Sequence, residues 1–473
     1  MYVTPRFLSI SLFACLCATA CDTGDAEPTN APGSLTLGSR SYFVLPANGN
    51  QVFPTYLAHL IGKDLAGTTL RVVQPISISN TSANPRTVTI RVSIPGYAVD
   101  GVTTVSIAGG QTSTVDVQPQ LTLPALYALT APVSTQVVVR AEESGTPIAS
   151  ATDTVMLAPR NTVFWGFVDG DALVDLRAFV AAFVMPNDPD DAVQTLLTEA
   201  AGHSPMGSMV GYQYDSQLRS ETTTIPVGGW LLAYPTYRAG QTVSIDATLY
   251  DCANCQFYPS IALLSPSQCD DWLEGGSEFA LRSANVTDAG ASFSATLTES
   301  GRYCIVAGLT GQTGIATISI ERNWGLDEGA RTELAAIFDA LHARGLVYVN
   351  VPGSFFDGSQ NVKLPAQSLG TGSSNCIDGT LLFASALEAL GMEPGIVIVP
   401  GHAFVAVAPY PGAPFSIFLE TTMVASGDSD SAFEAAEERY WAEAARAITS
   451  PWTMPLIINV AKARELGLTP MPF

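Results

Sequence analysis

The chain reads as a multidomain protein: an N-terminal β-sandwich, a helix-containing domain, and a second β-sandwich that interrupts that domain. Three observations carry this reading. Its 473 residues exceed what one ordinary core holds, so two to four domains are expected. Apolar residues alternate with period two over residues 36–158 and again over 222–322. Over 159–221 and 323–473 the apolar spacing turns helical.

Composition limits the partners. Only 14% of residues are charged and the formal net charge is −22, so a sequence-independent nucleic-acid partner, which needs Lys and Arg to displace counterions, is disfavoured. The first 21 residues carry one basic residue, Arg6, followed by an apolar run too short for a comfortable membrane span, which is the pattern of an export leader. Ala18, Thr19 and Ala20 then precede Cys21. This resembles the lipid-attachment box of bacterial lipoproteins, with Ala18 where that box usually has leucine, and plain secretion with cleavage near Cys21 is the alternative. In the lipidated reading the lipid is the only membrane contact. Residues 22–35 form a polar tether containing Pro and Gly, with nothing to fold around.

In the first alternating segment Val88, Ile90, Val92 and Ile94 share one face, and Val105, Ile107, Val115 and Val117 flank the Gly109-Gly110 turn. Short strands with frequent turns imply a sandwich. Residues 72–97 resemble immunoglobulin-like domains of bacterial surface proteins, which specifies architecture and no chemistry. A helix is expected within 185–201, with Asn187 and Asp188 ahead of Pro189 as its start and Gly202 as its stop.

Alternation returns with Val243, Ile245, Ala247 and Leu249, and later with Ala316, Ile318 and Ile320. Leu334, Ile337, Phe338 and Leu341 then fall at helical spacing before Gly345. Helices on both sides of the second sandwich need an apolar partner, and packing against each other supplies it. A sequential arrangement of three domains is the alternative.

Eight cysteines are present, three of them in the leader. Cys252 and Cys255 form a CxxC, with Cys269 and Cys304 single. Zinc would need a second close pair, and an oxidising compartment favours disulfides. Of the three possible connectivities, Cys252–Cys255 with Cys269–Cys304 is favoured. Cys376 is left over, and an odd cysteine in an exported protein means a reactive thiol or an intermolecular bridge.

Ser373, Ser374 and Asn375 are good caps for the apolar run that ends at Gly391, so Cys376 falls in the first turn of a buried helix. There the dipole and the unpaired N–H groups favour a thiolate and supply oxyanion donors. His402 starts a strand, FVAVA, that turns through PYPGAP into SIFLE. With the turn centred near Pro411, His402 falls opposite Glu420 within about one residue. A thiol, an imidazole and a carboxylate so placed reproduce the logic of a thiol triad. Asp378 reads as a first-turn carboxylate, and Asp428 and Asp430 as caps of the next helix and weaker candidates for the acid.

Residues 376–391, 401–405 and 418–422 are similar to the transglutaminase-like superfamily, whose order along the chain is Cys, His, Asp. The similarity implies an α+β papain-like core with Cys376 as nucleophile, His402 as base and Glu420 as orienting acid, the last departing from the usual aspartate. It also makes Gln367, nine residues before the cysteine, a candidate oxyanion donor beside its reading as a plain loop glutamine. The implied function is cleavage of amide bonds in peptide or protein substrates through a thioester, hydrolysis favoured over amine transfer, with no cofactor and no metal. The alternative is a non-catalytic surface adhesion or scaffold lipoprotein with a degenerate domain of this kind.

Overall fold

The computed structural model describes residues 35–37, 51–65, 68–169, 172–214, 217–226, 228–250, 260–274, 282–285, 290–308, 315–350, 358–450 and 453–472. The expected leader, Cys21, all of the tether before Leu35, and the Cys252 and Cys255 pair lie outside the described residues. The chain is mostly β-sheet with several helices, and it divides into two compact units.

The first unit contains the N-terminal sandwich. One sheet runs Val52–Pro54, Thr146–Ala158, Val133–Glu143, Arg86–Ser93 and Gly101–Ile107; the other is Leu35–Leu37, Ile76–Asn80 and Thr112–Val115. Val88, Ile90, Val92 and Ile94 alternate into the core as their spacing requires. The boundary expected at residue 158 falls instead after Met185. The reason is pairing: Thr162–Phe164 forms an antiparallel ladder with Ser359–Asn361, and so 351–364 also belongs to this unit. Residues 461–473 join it too, where Arg464 donates to the carbonyls of Ala181 and Val184.

The second unit holds the other sandwich and the domain it interrupts. Leu218–Pro226, Ile315–Asn323, Thr242–Tyr250 and Ala291–Thr296 make one sheet; Trp230–Ala233, Cys304–Gly308, Ser260–Leu264 and Arg282–Asn285 make the other. Its first and last strands pair antiparallel, Leu218 with Asn323, so the chain enters and leaves side by side. The Cys269–Cys304 disulfide is formed.

Helix α1 (Ala192–Ala201), ahead of the sandwich, packs on α2 (Leu326–Ala343) and on α3 (Cys376–Ala389) after it. Every residue of α3 from Cys376 to Leu387 is buried, and the hydroxyls of Thr380 and Ser385 return to the carbonyls of Cys376 and Leu381. Two short strands, β1 (Val347–Tyr348) and β2 (Ser373–Ser374), pair in parallel just ahead of α3. A four-stranded sheet of β3 (Pro394–Val399), β4 (His402–Val407), β5 (Ile417–Leu419) and β6 (Leu456–Asn459) has the order β5-β4-β3-β6. Helix α3 packs on β3 and β4, and α4 (Ser429–Arg446) packs on β5.

Two buried ionised or ionisable side chains fix α2. Arg322, 1% exposed at the end of the sandwich, is held by Glu221 at 2.7 Å and by both oxygens of Glu328 at 2.6 and 2.7 Å. Glu333 is fully buried, with Oε1 accepting from the Val210 N–H at 2.8 Å and the Tyr214 ring packed where Gly329 lacks a side chain. Burial pushes the Glu333 carboxyl up to about 7, against the bond from the Val210 N–H. An acid with a raised folded pKa keeps its proton in the folded state while the unfolded chain loses it. Stability therefore falls as pH rises from 4.5 to about 7 and is flat, for this group, above that. Glu333→Gln should remove roughly 2 kcal/mol of the pH dependence. Urea midpoints of both proteins at pH 5 and pH 8 measure it, and an unchanged pH dependence contradicts the assignment.

Candidate active site

The start of α3 is built by a reciprocal cap. Asn375 Oδ1 accepts from the Asp378 N–H at 2.9 Å, and Asp378 Oδ2 accepts from the Asn375 N–H at 3.2 Å. Asp378 is thereby a capping residue, as its place in the first turn indicated. Cys376 follows as the first helical residue, 7% exposed, and it is a free thiol.

Pro400 and Gly401 make the two-residue turn between β3 and β4, with Gly401 at φ +71° and Val399 paired with His402. This turn delivers His402 to the head of β4. The hairpin from β4 to β5 pairs Val405 with Leu419 and Val407 with Ile417, which centres it at Gly412, one residue later than expected. Shifting the centre by one moves each pairing by two and so preserves the face. The ladder ends at the Val405–Leu419 pair, and Glu420 leaves the strand as the cap of the turn Thr421–Ala425, from which its side chain reaches His402.

The three predicted groups meet. His402 Nε2 lies 2.6 Å from Glu420 Oε2, and the Cys376 thiol is near enough to the ring to bear on its charge. The other oxygen of Glu420 accepts from the N–H of Thr422 at 3.0 Å and from its hydroxyl at 2.6 Å. The main chain around Glu420 is pinned as well: its N–H donates to the Ala432 carbonyl at 3.0 Å, and His342 Nδ1 sits 2.6 Å from the Val424 carbonyl. Gly379 makes the approach possible, because a Cβ there would stand 2.9 Å from Thr421 Oγ1.

Electrostatics follow from this packing. Burial alone would depress the imidazole, but the hydrogen bonds from Cys376 and Glu420, with the negative charge they bring, push His402 up to about 9. Burial raises Glu420, yet the His402 bond and charge and the two Thr422 bonds leave it below the usual carboxylate range. Asp428 caps α4 through the Ser431 N–H at 2.9 Å. Gln367 is exposed on the short helix Pro365–Thr371.

Two further residues belong to the site. Thr422 lies in the FLETT stretch, where a hydroxyl after the acid was its one signal. Tyr348 has no motif around it; the parallel pairing of β1 with β2 brings it beside Ser374, two residues ahead of Cys376. Burial and the neighbouring Cys376 and Glu420 raise its phenol. Among the described residues no three His, Cys, Asp or Glu side chains gather as a metal site.

No family model matches the chain, and no curated protein does. Among solved structures, the periplasmic inhibitor of g-type lysozyme from Aeromonas hydrophila is 13% identical over 22% of this chain and 84% of its own, with a TM-score of 0.17. The secreted serine protease VesC from Vibrio cholerae is 8% identical over 52% of this chain and 45% of its own, with a TM-score of 0.15. Likenesses of this size assign no fold and no function.

With only four histidines in the chain, the ring of His402 can be followed by NMR. It is expected to titrate near 9. Glu420→Gln removes the negative charge and should bring it down by at least one unit. Gly379→Val, which drives the Thr421 segment away from α3, should do the same. A wild-type titration at the ordinary histidine value would contradict the pairing of His402 with Glu420.

Proposed function

We propose that the chain is an exported, transglutaminase-like cysteine enzyme that acts on amide bonds of peptide or protein substrates. The observation that carries this reading is the free thiol of Cys376 at the start of a buried helix, beside the hydrogen-bonded pair of His402 and Glu420. A ring that holds a proton up to about pH 9 is basic enough to take one from the thiol.

In the first step the Cys376 sulfur, its proton already held by His402, bonds to the substrate carbonyl carbon, and the carbonyl electron pair moves to oxygen. The N–H of Asp378 is occupied by the cap, whereas that of Cys376 stands in the helix's first turn, where N–H groups have no intrahelical acceptor. It is the donor assigned to the oxyanion. When the intermediate collapses, the C–N bond breaks, His402 gives its proton to the leaving amine, and a thioester remains on Cys376. Water then adds to the thioester as His402 takes its proton; the C–S bond breaks, and the thiol is restored. Glu420 holds the imidazolium in register throughout. Hydrolysis is favoured over transfer because water needs no second binding site.

Export and lipid attachment at Cys21 form the other half of the proposal. The leader pattern over residues 1–21 and the Cys269–Cys304 disulfide, a bond of oxidising compartments, support it. The lipid would be the membrane contact. Among the described residues no helix is long and apolar enough to cross a membrane.

p-Nitrophenyl acetate tests the chemistry without a known substrate. Mass spectrometry should find an acetyl group on Cys376 that hydroxylamine removes. His402→Ala should slow its formation about 100-fold or more. Acetylation spread over lysines, with Cys376 unmodified, would refute the nucleophile. An added alkylamine that captures most of the acyl group would replace hydrolysis by transfer.

A further inference from the structure

Cys376 is 7% exposed and the His402 and Glu420 side chains are 15% and 10% exposed, so an acyl donor meets the triad through a narrow approach. Beside it lies an exposed apolar run: Val347 is 51%, Tyr348 39% and Val349 43% exposed. Its backbone is half used. The N–H groups of Val347 and Val349 donate to the carbonyls of Gly372 and Ser374, at 3.0 and 2.8 Å. In a ladder with that alternation, the N–H and C=O of Tyr348 point to the opposite edge, and among the described residues nothing pairs with them there.

The side chains alternate as well. Tyr348 pairs with Ser374, two residues ahead of Cys376, and the charges of Cys376 and Glu420 bear on its phenol. Val347 and Val349, one residue to either side of Tyr348, project from the face opposite its ring. β1 also packs against the turn Thr421–Ala425 that follows Glu420, which fixes this edge relative to the acid.

We infer that the free edge of β1 docks the acyl-donor peptide as an added extended strand, with apolar side chains preferred at the two substrate positions that pair with Val347 and Val349. The inference rests on the thiol-nucleophile reading and narrows its substrate class. The N–H of Tyr348 donates to a peptide carbonyl, and its C=O accepts the same residue's N–H. The residue between the two apolar positions faces the Tyr348 ring and the thiol. A polar or charged flank would leave the exposed valines unpaired, and the edge would then hold the peptide by two backbone bonds alone.

The test compares rates of Cys376 labelling on the full chain. The probes are iodoacetamide, a tripeptide acyloxymethyl ketone with valine at its first and third positions, the same compound with lysine there, and the valine compound with its central amide replaced by an ester. The valine compound is expected to react about fivefold or more faster than the lysine compound. The ester, which lacks the N–H that reaches Tyr348, should be slower by roughly two- to tenfold. Val347→Lys and Val349→Lys should bring the valine-to-lysine ratio close to one. Rapid iodoacetamide labelling with one common rate for all three peptides overturns the docking edge and leaves the nucleophile standing. A ratio that survives both valine substitutions also overturns it. Iodoacetamide labelling no faster than that of a free thiol overturns the nucleophile and the docking edge together.

Discussion

Two ionisable groups nearly removed from water, the His402 imidazole and the Glu420 carboxylate, sit 2.6 Å apart, and the elements around them are arranged as that pair requires. Burying either charge alone costs several kcal/mol, and their attraction offsets this only if the remaining lone pairs and protons also find partners. Here those of the carboxylate do. Thr422 satisfies the second carboxylate oxygen twice over, and the Cys376 thiol stands beside the ring. The backbone that carries Glu420 is held from α4 through Ala432 and from α2 through His342. α3 comes close enough because residue 379 has no side chain. Fixing the pair therefore fixes where three helices and two strands stand relative to the sulfur.

Much of this was legible from periodicity and chemistry. The alternating valines and isoleucines of both sandwiches reach their cores, and the spacing of Leu334, Ile337, Phe338 and Leu341 marks the buried face of α2. Cys376, His402 and Glu420 were readable because a cap, a Pro-Gly turn and a hairpin are local signals. What escaped was non-local. The ladder between Thr162–Phe164 and Ser359–Asn361 joins residues nearly two hundred positions apart, so no window along the chain reports it, and it moves the first unit's boundary to Met185. Tyr348 escaped for the same reason: only the parallel pairing of β1 with β2 places it by the thiol.

The sandwich within the second unit bears on α2 through charge. Arg322 closes its last strand, and Glu328, the third residue of α2, both caps that helix through the Gly325 N–H at 2.7 Å and binds the guanidinium. One carboxylate thus ends a strand interaction and begins a helix within six residues. Asp327 adds a second tie by accepting from the Thr236 N–H at 2.7 Å. Because α2 also carries His342, the orientation set at its N-terminus reaches the turn behind Glu420. The sandwich needs no residue in the triad to influence it.

Where the strand ends decides what the acid can reach. The ladder between β4 and β5 closes with Val405 opposite Leu419, and the next residue, Glu420, leaves the strand as the cap of the turn Thr421–Ala425. Freed from the ladder, its N–H turns to the Ala432 carbonyl, and its side chain crosses to His402 with Oε2 while Oε1 takes both donors of Thr422. An aspartate at 420 would have one methylene fewer with which to meet the imidazole and hold Thr422 at once. The carboxylate that starts the turn is thus the one that holds the ring, and the end of β5 is what brings it there.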